Sequence, residues 1–250
     1  MKIQLIRHAT LIISIKGLTL LVDPMLGRQG EMAPIQNSPN QLPNPLVPLP
    51  VSEDSLKAVD AVLLTHTHRD HVDYAAARLL PKDVPVLCQP GDEKKLEGLG
   101  FSRFLAVRET LTWNGISITR TAGRHGTGEI GKMMAPVSGF VLQAPGEPSL
   151  YIAGDTIWCP EVEQSLEAHR PDIAVVNAGG ARFLTGDPII MTAEDVCRVC
   201  RQAPEARVVA VHMEAINHCL LTRRELLSFL EKEGLSQQVR IPADGEFMEF

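Results

Sequence analysis

The sequence predicts an α+β fold in which β-hairpins and strand–helix units share one chain. Three observations carry that prediction. Short β-rich runs meet at tight-turn signals, Lys16-Gly17 and Asn114-Gly115, the second being a strong hairpin signature. Apolar runs of strand length, such as Ala61–Leu64, Ile173–Val176 and Ala206–Val211, lack clear alternation and read as strands buried on both faces. Helical segments lie between such runs, one of them (Thr192 to Gln202) opening on the capping-type pair Thr192 and Asp195.

Composition narrows the function. The chain has 250 residues, 44% of them hydrophobic and 22% charged, which suits a globular fold of one α/β domain or two small ones. A net charge of −6 with no lysine–arginine block argues against a nucleic-acid partner. Met1 to His8 contains no long apolar core, so no signal peptide is expected, and no apolar run is long enough to span a membrane. Five scattered cysteines fit a reduced, cytoplasmic protein rather than a disulfide scaffold.

In chain order, Lys2–Ile6, Thr10–Ile15 and Leu18–Val22 read as strands, with His8 between the first two and Asp23-Pro24 closing the third. Residues 27–50 carry prolines at 34, 39, 43, 45, 48 and 50, which excludes helix and central strand. So long a loop is either a lid over a cleft or a strap packed on the surface. Val51 to Val59 reads as a short helix capped by Ser52.

The next apolar strand ends in Thr65-His66-Thr67-His68-Arg69-Asp70-His71, and Val72 to Leu80 reads as a helix. His66 and His68, two apart, point to the same side of an extended backbone. Three imidazoles and a carboxylate on one turn suit a borderline divalent metal such as zinc. Adjacent Asp70 and His71 do not easily reach the point served by His66 and His68, which suggests two metals side by side. A solvated turn holding three histidines is the alternative.

These residues spell the HxHxDH signature, and on it the chain resembles the metallo-β-lactamase superfamily. His8-Ala9, the strand–turn–strand that follows, Asp23-Pro24 and Tyr74 also resemble one branch, that of the ascorbate-6-phosphate lactonases and the N-acylphosphatidylethanolamine-hydrolysing phospholipases D. The resemblance runs from His8 to His212 and implies one domain over residues 1–250. The implied fold is a four-layer αββα sandwich: two mixed β-sheets face to face, with helices outside.

Further along, Val84–Cys88 reads as a strand, Gly91–Leu99 as a helix, and Arg103–Val107, Glu109–Trp113 and Ile116–Thr121 as strands. The glycine-rich loop Ala122 to Gly128 contains His125, which matches the next family histidine. Val137–Gln143 and Ser149–Ala153 form a hairpin that ends in Gly154-Asp155-Thr156. Asp155 there is either a helix cap or, by the resemblance, the metal-bridging carboxylate. Pro160–Arg170 reads as a helix. After the strand ending at Asn177, the family commonly carries a histidine behind the paired glycines; this chain has Ala181-Arg182 instead. Cys197 and Cys200 lie on one helix beside Val196 and Val199, as core packing groups or as a redox or metal pair. His212 ends the last strong strand and matches the last family ligand. Thr222 to Glu233 is a final helix, followed by a segment over Val239–Phe250.

By the resemblance, His66, His68 and His125 hold one metal, Asp70, His71 and His212 hold the other, and Asp155 bridges. The cofactor is then two divalent ions, Zn²⁺ or else Mn²⁺ or Fe²⁺. His8, Arg182, Asp187 and His218 are candidate substrate contacts. The implied enzyme is a hydrolase in which a dimetal-activated water, with Asp70 as catalytic acid–base group, cleaves a small ester, lactone or phosphoester. A non-hydrolytic di-iron redox protein is the alternative on the same ligands. The expected partner is a small-molecule substrate; self-association is left open.

Overall fold

A computed structural model of the chain describes residues 1–134 and 136–250. Among these, fourteen strands form two seven-stranded sheets. The first contains β1 (Lys2–Arg7), β2 (Thr10–Ile15), β3 (Leu18–Val22), β4 (Ala61–Leu63), β5 (Val86–Cys88) and β6 (Phe104–Ala106), with β14 (Phe247–Glu249) on the free edge of β1. The second runs, in spatial order, from β7 (Thr110–Trp113) through β8 (Ile116–Ala122), β9 (Ser138–Gln143), β10 (Leu150–Ile152), β11 (Ile173–Asn177) and β12 (Arg207–Val211) to β13 (Val239–Arg240). Each sheet is mixed: hairpins build one half, and parallel pairs from β3 to β6 and from β10 to β13 build the other.

The layers follow from the period of two along each strand. Leu20, Val22, Ala61 and Leu63 face inward and meet Val175, Val209, Val211 and Phe140 of the opposite sheet. Their neighbours Leu21, Val62 and Leu64 face outward, onto Ala76 and Leu96 of helices α1 (Tyr74–Leu79) and α2 (Glu93–Gly98) and onto Leu80, the C-cap of α1. On the other side Ala174, Val176, Val208 and Ala210 pack on α4 (Pro160–His169), α5 (Ala193–Gln202) and α6 (Arg223–Lys232). Both faces of these strands are therefore apolar, which is why they read as continuous runs. The result is the αββα sandwich that the resemblance implied.

Several boundaries differ from the sequence reading. The helix expected over Val51–Val59 is only a 3₁₀ turn, Glu53–Leu56, and Ser52 makes no side-chain cap. Residues 52–55 are exposed and only Leu56 is fully buried, so there is no apolar stripe to hold a longer helix. Helix α1 starts at Tyr74, two residues later than expected, because Asp73 caps it by accepting from the Ala76 amide. A helix that periodicity did not indicate, α3 (Gly128–Met134), follows the His125 loop; none of its residues is buried. The Thr192/Asp195 capping box is present on α5, and Cys197 and Cys200 are buried beneath it among valines. Among the described residues no helix is long and apolar enough to cross a membrane.

Residues 27–50 lie as a strap across the loops that follow the second sheet. Asn217 pins it: its side-chain oxygen accepts from the Ile35 amide (3.0 Å) and from Asn44 Nδ2 (2.8 Å). Asn217 Nδ2 donates to Ser38 Oγ (2.6 Å), and the Asn217 amide donates to Asn44 Oδ1 (2.9 Å). The buried Arg7 guanidinium holds the strap near both ends, donating to the carbonyls of Gly27 and, at 3.0 Å, Val47.

Candidate metal centre

The carboxyl ends of β3, β4, β8, β10 and β12 lie together along one edge of the sandwich. Ligands of α/β sheets collect at the carboxyl ends of strands, and the chemistry-bearing residues of this chain do so: Asp23 follows β3, the His66–His71 turn follows β4, His125 follows β8, Asp155 follows β10 and His212 follows β12. Backbone conformation at this edge is strained. His8, Asp23 and His212 take positive φ (58°, 43° and 66°), a conformation that costs a non-glycine residue of order 1–3 kcal/mol each. Gly154 (φ 69°) brings the backbone against Ser138; a Cβ there would lie 2.6 Å from the Ser138 carbonyl oxygen.

Three groups of donors converge, each with atoms within 4.8 Å of one another: His66, His68 and His125; His8, Asp70, His71 and His212; and His66, His71 and Asp155. Asp155 stands between the first two groups. Its Oδ2 lies 3.2 Å from His71 Nε2, 3.3 Å from His125 Nε2 and 3.8 Å from His66 Nε2, and its Oδ1 lies 3.3 Å from His212 Nε2. All seven residues that the resemblance assigned to metals are thus brought together, and all but His68 are buried.

The outer contacts orient this set. Asp23 Oδ2 accepts from His71 Nδ1 (2.8 Å) and from Thr65 Oγ1 (2.7 Å), while its Oδ1 accepts from the Thr65 amide (2.8 Å). The Ile189 carbonyl is 2.8 Å from His125 Nδ1, and Cys219 Sγ is 3.4 Å from His212 Nδ1. Asn177 Nδ2 donates to Asp155 Oδ1 (2.6 Å). These partners leave the opposite nitrogen of His71, His125 and His212 facing the centre, the arrangement in which an imidazole can bind a cation. Sequence reading did not select Asp23, Asn177 or Cys219. The available signal was position, since Asp23 and Asn177 both stand at the ends of strands.

Charge follows the same geometry. Burial would raise the Asp155 carboxyl, but His212, His71 and His125 hold it well below the carboxylate range. Burial would raise Asp70 too, and His71 and His8 hold it well below. Burial and neighbouring imidazoles push His66 and His212 well below their ordinary value. Burial opposes charge on His71, yet Asp155, Asp23 and Asp70 outweigh it and hold that ring well above. Three carboxylates around one imidazole thus demand positive charge.

Divalent cations fit this donor set. His66 Nε2 faces His68 Nδ1 at 2.9 Å, and His71 Nε2 faces His212 Nε2 at 3.3 Å. Facing lone pairs repel unless a proton or a cation lies between them. Buried imidazoles and carboxylates in this ratio suit zinc-like ions.

The candidate substrate contacts fall in two places. His8 is fully buried, its ring tilted 40° against that of His212 with centroids 3.6 Å apart, and its Nε2 lies 3.3 Å from Asp70 Oδ2. His218 is buried with its Nδ1 unpartnered, its ring centroid 6.2 Å from that of Phe183. Arg182 is exposed, and its backbone amide donates to the His218 carbonyl (3.2 Å). Asp187, also exposed, accepts from Thr127 Oγ1 (3.1 Å) in the His125 loop.

Known proteins share this fold and sequence. A family model described as the beta-lactamase superfamily domain matches residues 19–213. UPF0173 protein YddR of Bacillus subtilis (strain 168) is 39% identical over 254 residues, with all of both chains covered. A UPF0173 metal-dependent hydrolase of Azorhizobium caulinodans is 29% identical over 259 residues, again with all of both chains covered. Among solved structures, the isothiocyanate hydrolase from Delia radicum gut bacteria is 40% identical with a TM-score of 0.96, over 100% of this chain and 99% of that one. Two seven-stranded mixed sheets flanked by helices, the HxHxDH turn and these full-length similarities agree: the chain belongs to the UPF0173 metal-dependent hydrolases of the metallo-β-lactamase superfamily.

Proposed function

We propose that this chain hydrolyses small electrophilic carbon substrates at a dimetal centre, and that isothiocyanates are the first class to test. His66, His68 and His125 would hold one divalent ion, Asp70, His71 and His212 the other, and the Asp155 carboxylate would serve both. The observation that carries this is the Asp155 carboxylate, whose Oδ2 faces His66, His71 and His125 while its Oδ1 faces His212. Zinc suits the donors best, with Mn²⁺ or Fe²⁺ as substitutes. Such ions supply a water acidified to near-neutral pKa and a positive charge for the developing anion. The substrate class is supported by the full-length likeness to an isothiocyanate hydrolase.

In this reading Asp70 carries the proton. Its carboxylate is ionised, held by His71 and His8, and can accept a proton from the attacking water and return it to the leaving nitrogen. His8, on Asp70 Oδ2, fixes the rotamer from which that transfer occurs. His218 is kept neutral by burial, and its free Nδ1 is available to orient the substrate heteroatom. Arg182 seats the His218 loop through its backbone and leaves its cationic side chain exposed; Asp187 steadies the His125 loop. Water adds to the central carbon of R–N=C=S to give a thiocarbamic acid. That acid breaks its C–N bond, takes a proton on nitrogen and leaves R–NH₂ and carbonyl sulfide. Five free cysteines support a reducing, cytoplasmic setting.

The test is a substrate panel on metal-loaded protein: alkyl and aryl isothiocyanates, small esters, lactones (a phosphorylated one included) and phosphoesters. Equal appearance of amine and carbonyl sulfide is expected. Asp70→Asn should lower kcat by roughly a hundredfold or more, the usual range for a lost acid–base group. Turnover of an ester or lactone with none of any isothiocyanate would reject the substrate class. Near-parental kcat in metal-replete Asp70→Asn would reject the role of Asp70.

A further inference from the structure

We infer that a second small-molecule site lies outside the metal centre, in the groove between the proline-rich strap and helices α1 and α2. Its ligand class is a small organic anion with an apolar body, such as an aryl carboxylate. The groove encloses about 350 Å³, the low end of the size range for small-molecule sites, and none of the clustered metal donors lines it. It abuts the centre nonetheless, because Thr67 and Arg69, which alternate with His66, His68 and Asp70 in the motif turn, form part of its wall.

The wall is cationic, and its cations are already placed. Arg69 holds its guanidinium 5.4 Å from the centroid of the Tyr74 ring. Lys95 Nζ donates to Thr67 Oγ1 (3.1 Å), and Arg78 pairs with Glu31 on the strap (3.0 Å). Among the described residues Arg78 is the one of these three in an ion pair. The other acid in the wall, Asp73, is committed to backbone amides, accepting from Gly27 and Ala76 at 2.7 Å each. Arg69 and Lys95 are left as two unpaired cations in one concavity, which a carboxylate would satisfy with charge-assisted hydrogen bonds.

Beside that charge the groove offers apolar surface. Met32 and Leu99 line it, and the Tyr74 ring is 59% exposed in it. An arene could stack on Tyr74 with its carboxylate toward Arg69 and Lys95, keeping the ring–cation contact that now stands alone. An occupant would also restrain Thr67 and Arg69, and so the turn that carries His68 and Asp70.

The probe is benzoate, with benzamide as its neutral counterpart, titrated calorimetrically into metal-loaded protein. Saturable benzoate binding is expected, with benzamide at least tenfold weaker. In an Arg69→Ala, Lys95→Ala double variant benzoate should weaken at least tenfold, and in Tyr74→Ala several-fold. Arg69, Lys95 and Tyr74 are exposed, so the fold should survive these changes, and an unchanged Tm confirms it. Undiminished benzoate binding in the double variant would place the anion on the metals instead and overturn the inference. Equal binding of benzamide, or no binding of benzoate, would overturn it as well.

Discussion

Asp23→Asn is the sharpest probe of how the centre is held. The parent carboxylate accepts from the Thr65 amide at 2.8 Å, from Thr65 Oγ1 at 2.7 Å and from His71 Nδ1 at 2.8 Å. Asparagine keeps the shape and tolerates the positive φ of 43° at this position. Its oxygen can still serve the Thr65 amide. Its nitrogen, however, must then face His71 Nδ1 and donate to it, which moves the imidazole proton to Nε2. That nitrogen lies 3.2 Å from Asp155 Oδ2 and would lose the lone pair it turns to the centre. Loss of such an outer partner costs about 10–100-fold in metal affinity, or roughly 1.4–2.7 kcal/mol. On the proposed ligand division, the loss should fall on the ion assigned to Asp70, His71 and His212, sparing the one assigned to His66, His68 and His125. Competition against a chromophoric chelator, with metal counted per chain, reads both affinities. Both ions bound within twofold of the parent in Asp23→Asn would refute the tautomer argument. Asp23→Ala is a poorer probe, because it strands three buried polar groups at about 1–3 kcal/mol each.

Three further outcomes follow from the packing. Gly154→Ala sets a Cβ 2.6 Å from the Ser138 oxygen at φ 69°, so it should cost about 2 kcal/mol or more and reduce metal content, as Tm and elemental analysis would show. Asn217→Ala frees the strap from a buried amide; hydrogen exchange over residues 35–44 should rise at least tenfold, and KM should rise more than kcat. Cys197→Ala, Cys200→Ala should keep metals and activity while losing roughly 1–3 kcal/mol of stability in denaturant unfolding, since both thiols are core groups.

Much of this arrangement was legible because sheet period and strand ends leave marks in sequence. Runs such as Ala61–Leu64 are apolar on both faces, and the sandwich has apolar layers on both sides of them. The motif turn, Asp155 and His212 each follow such a run. Asp23 was less legible, because Asp-Pro after a strand reads as a turn. Only the parallel pairing of β3 with β4 brings it to Thr65, 42 residues on, and to His71, 48 residues on. Cys219 carries no signal of its own and Asn177 only its place at a strand end, since their partners lie in other loops. Helix α3 has no buried residue and hence no periodic face to read. The strap could not be told from a lid, because the buried amide that pins its middle, Asn217, is some 170–180 residues away in sequence.

The most direct measurement is anomalous scattering at the zinc edge from crystals of metal-loaded protein. Two peaks per chain are predicted, one among His66, His68 and His125 and one among Asp70, His71 and His212, with the Asp155 carboxylate touching both. A single peak, or two peaks of which one lies away from Asp155, would contradict the dimetal centre.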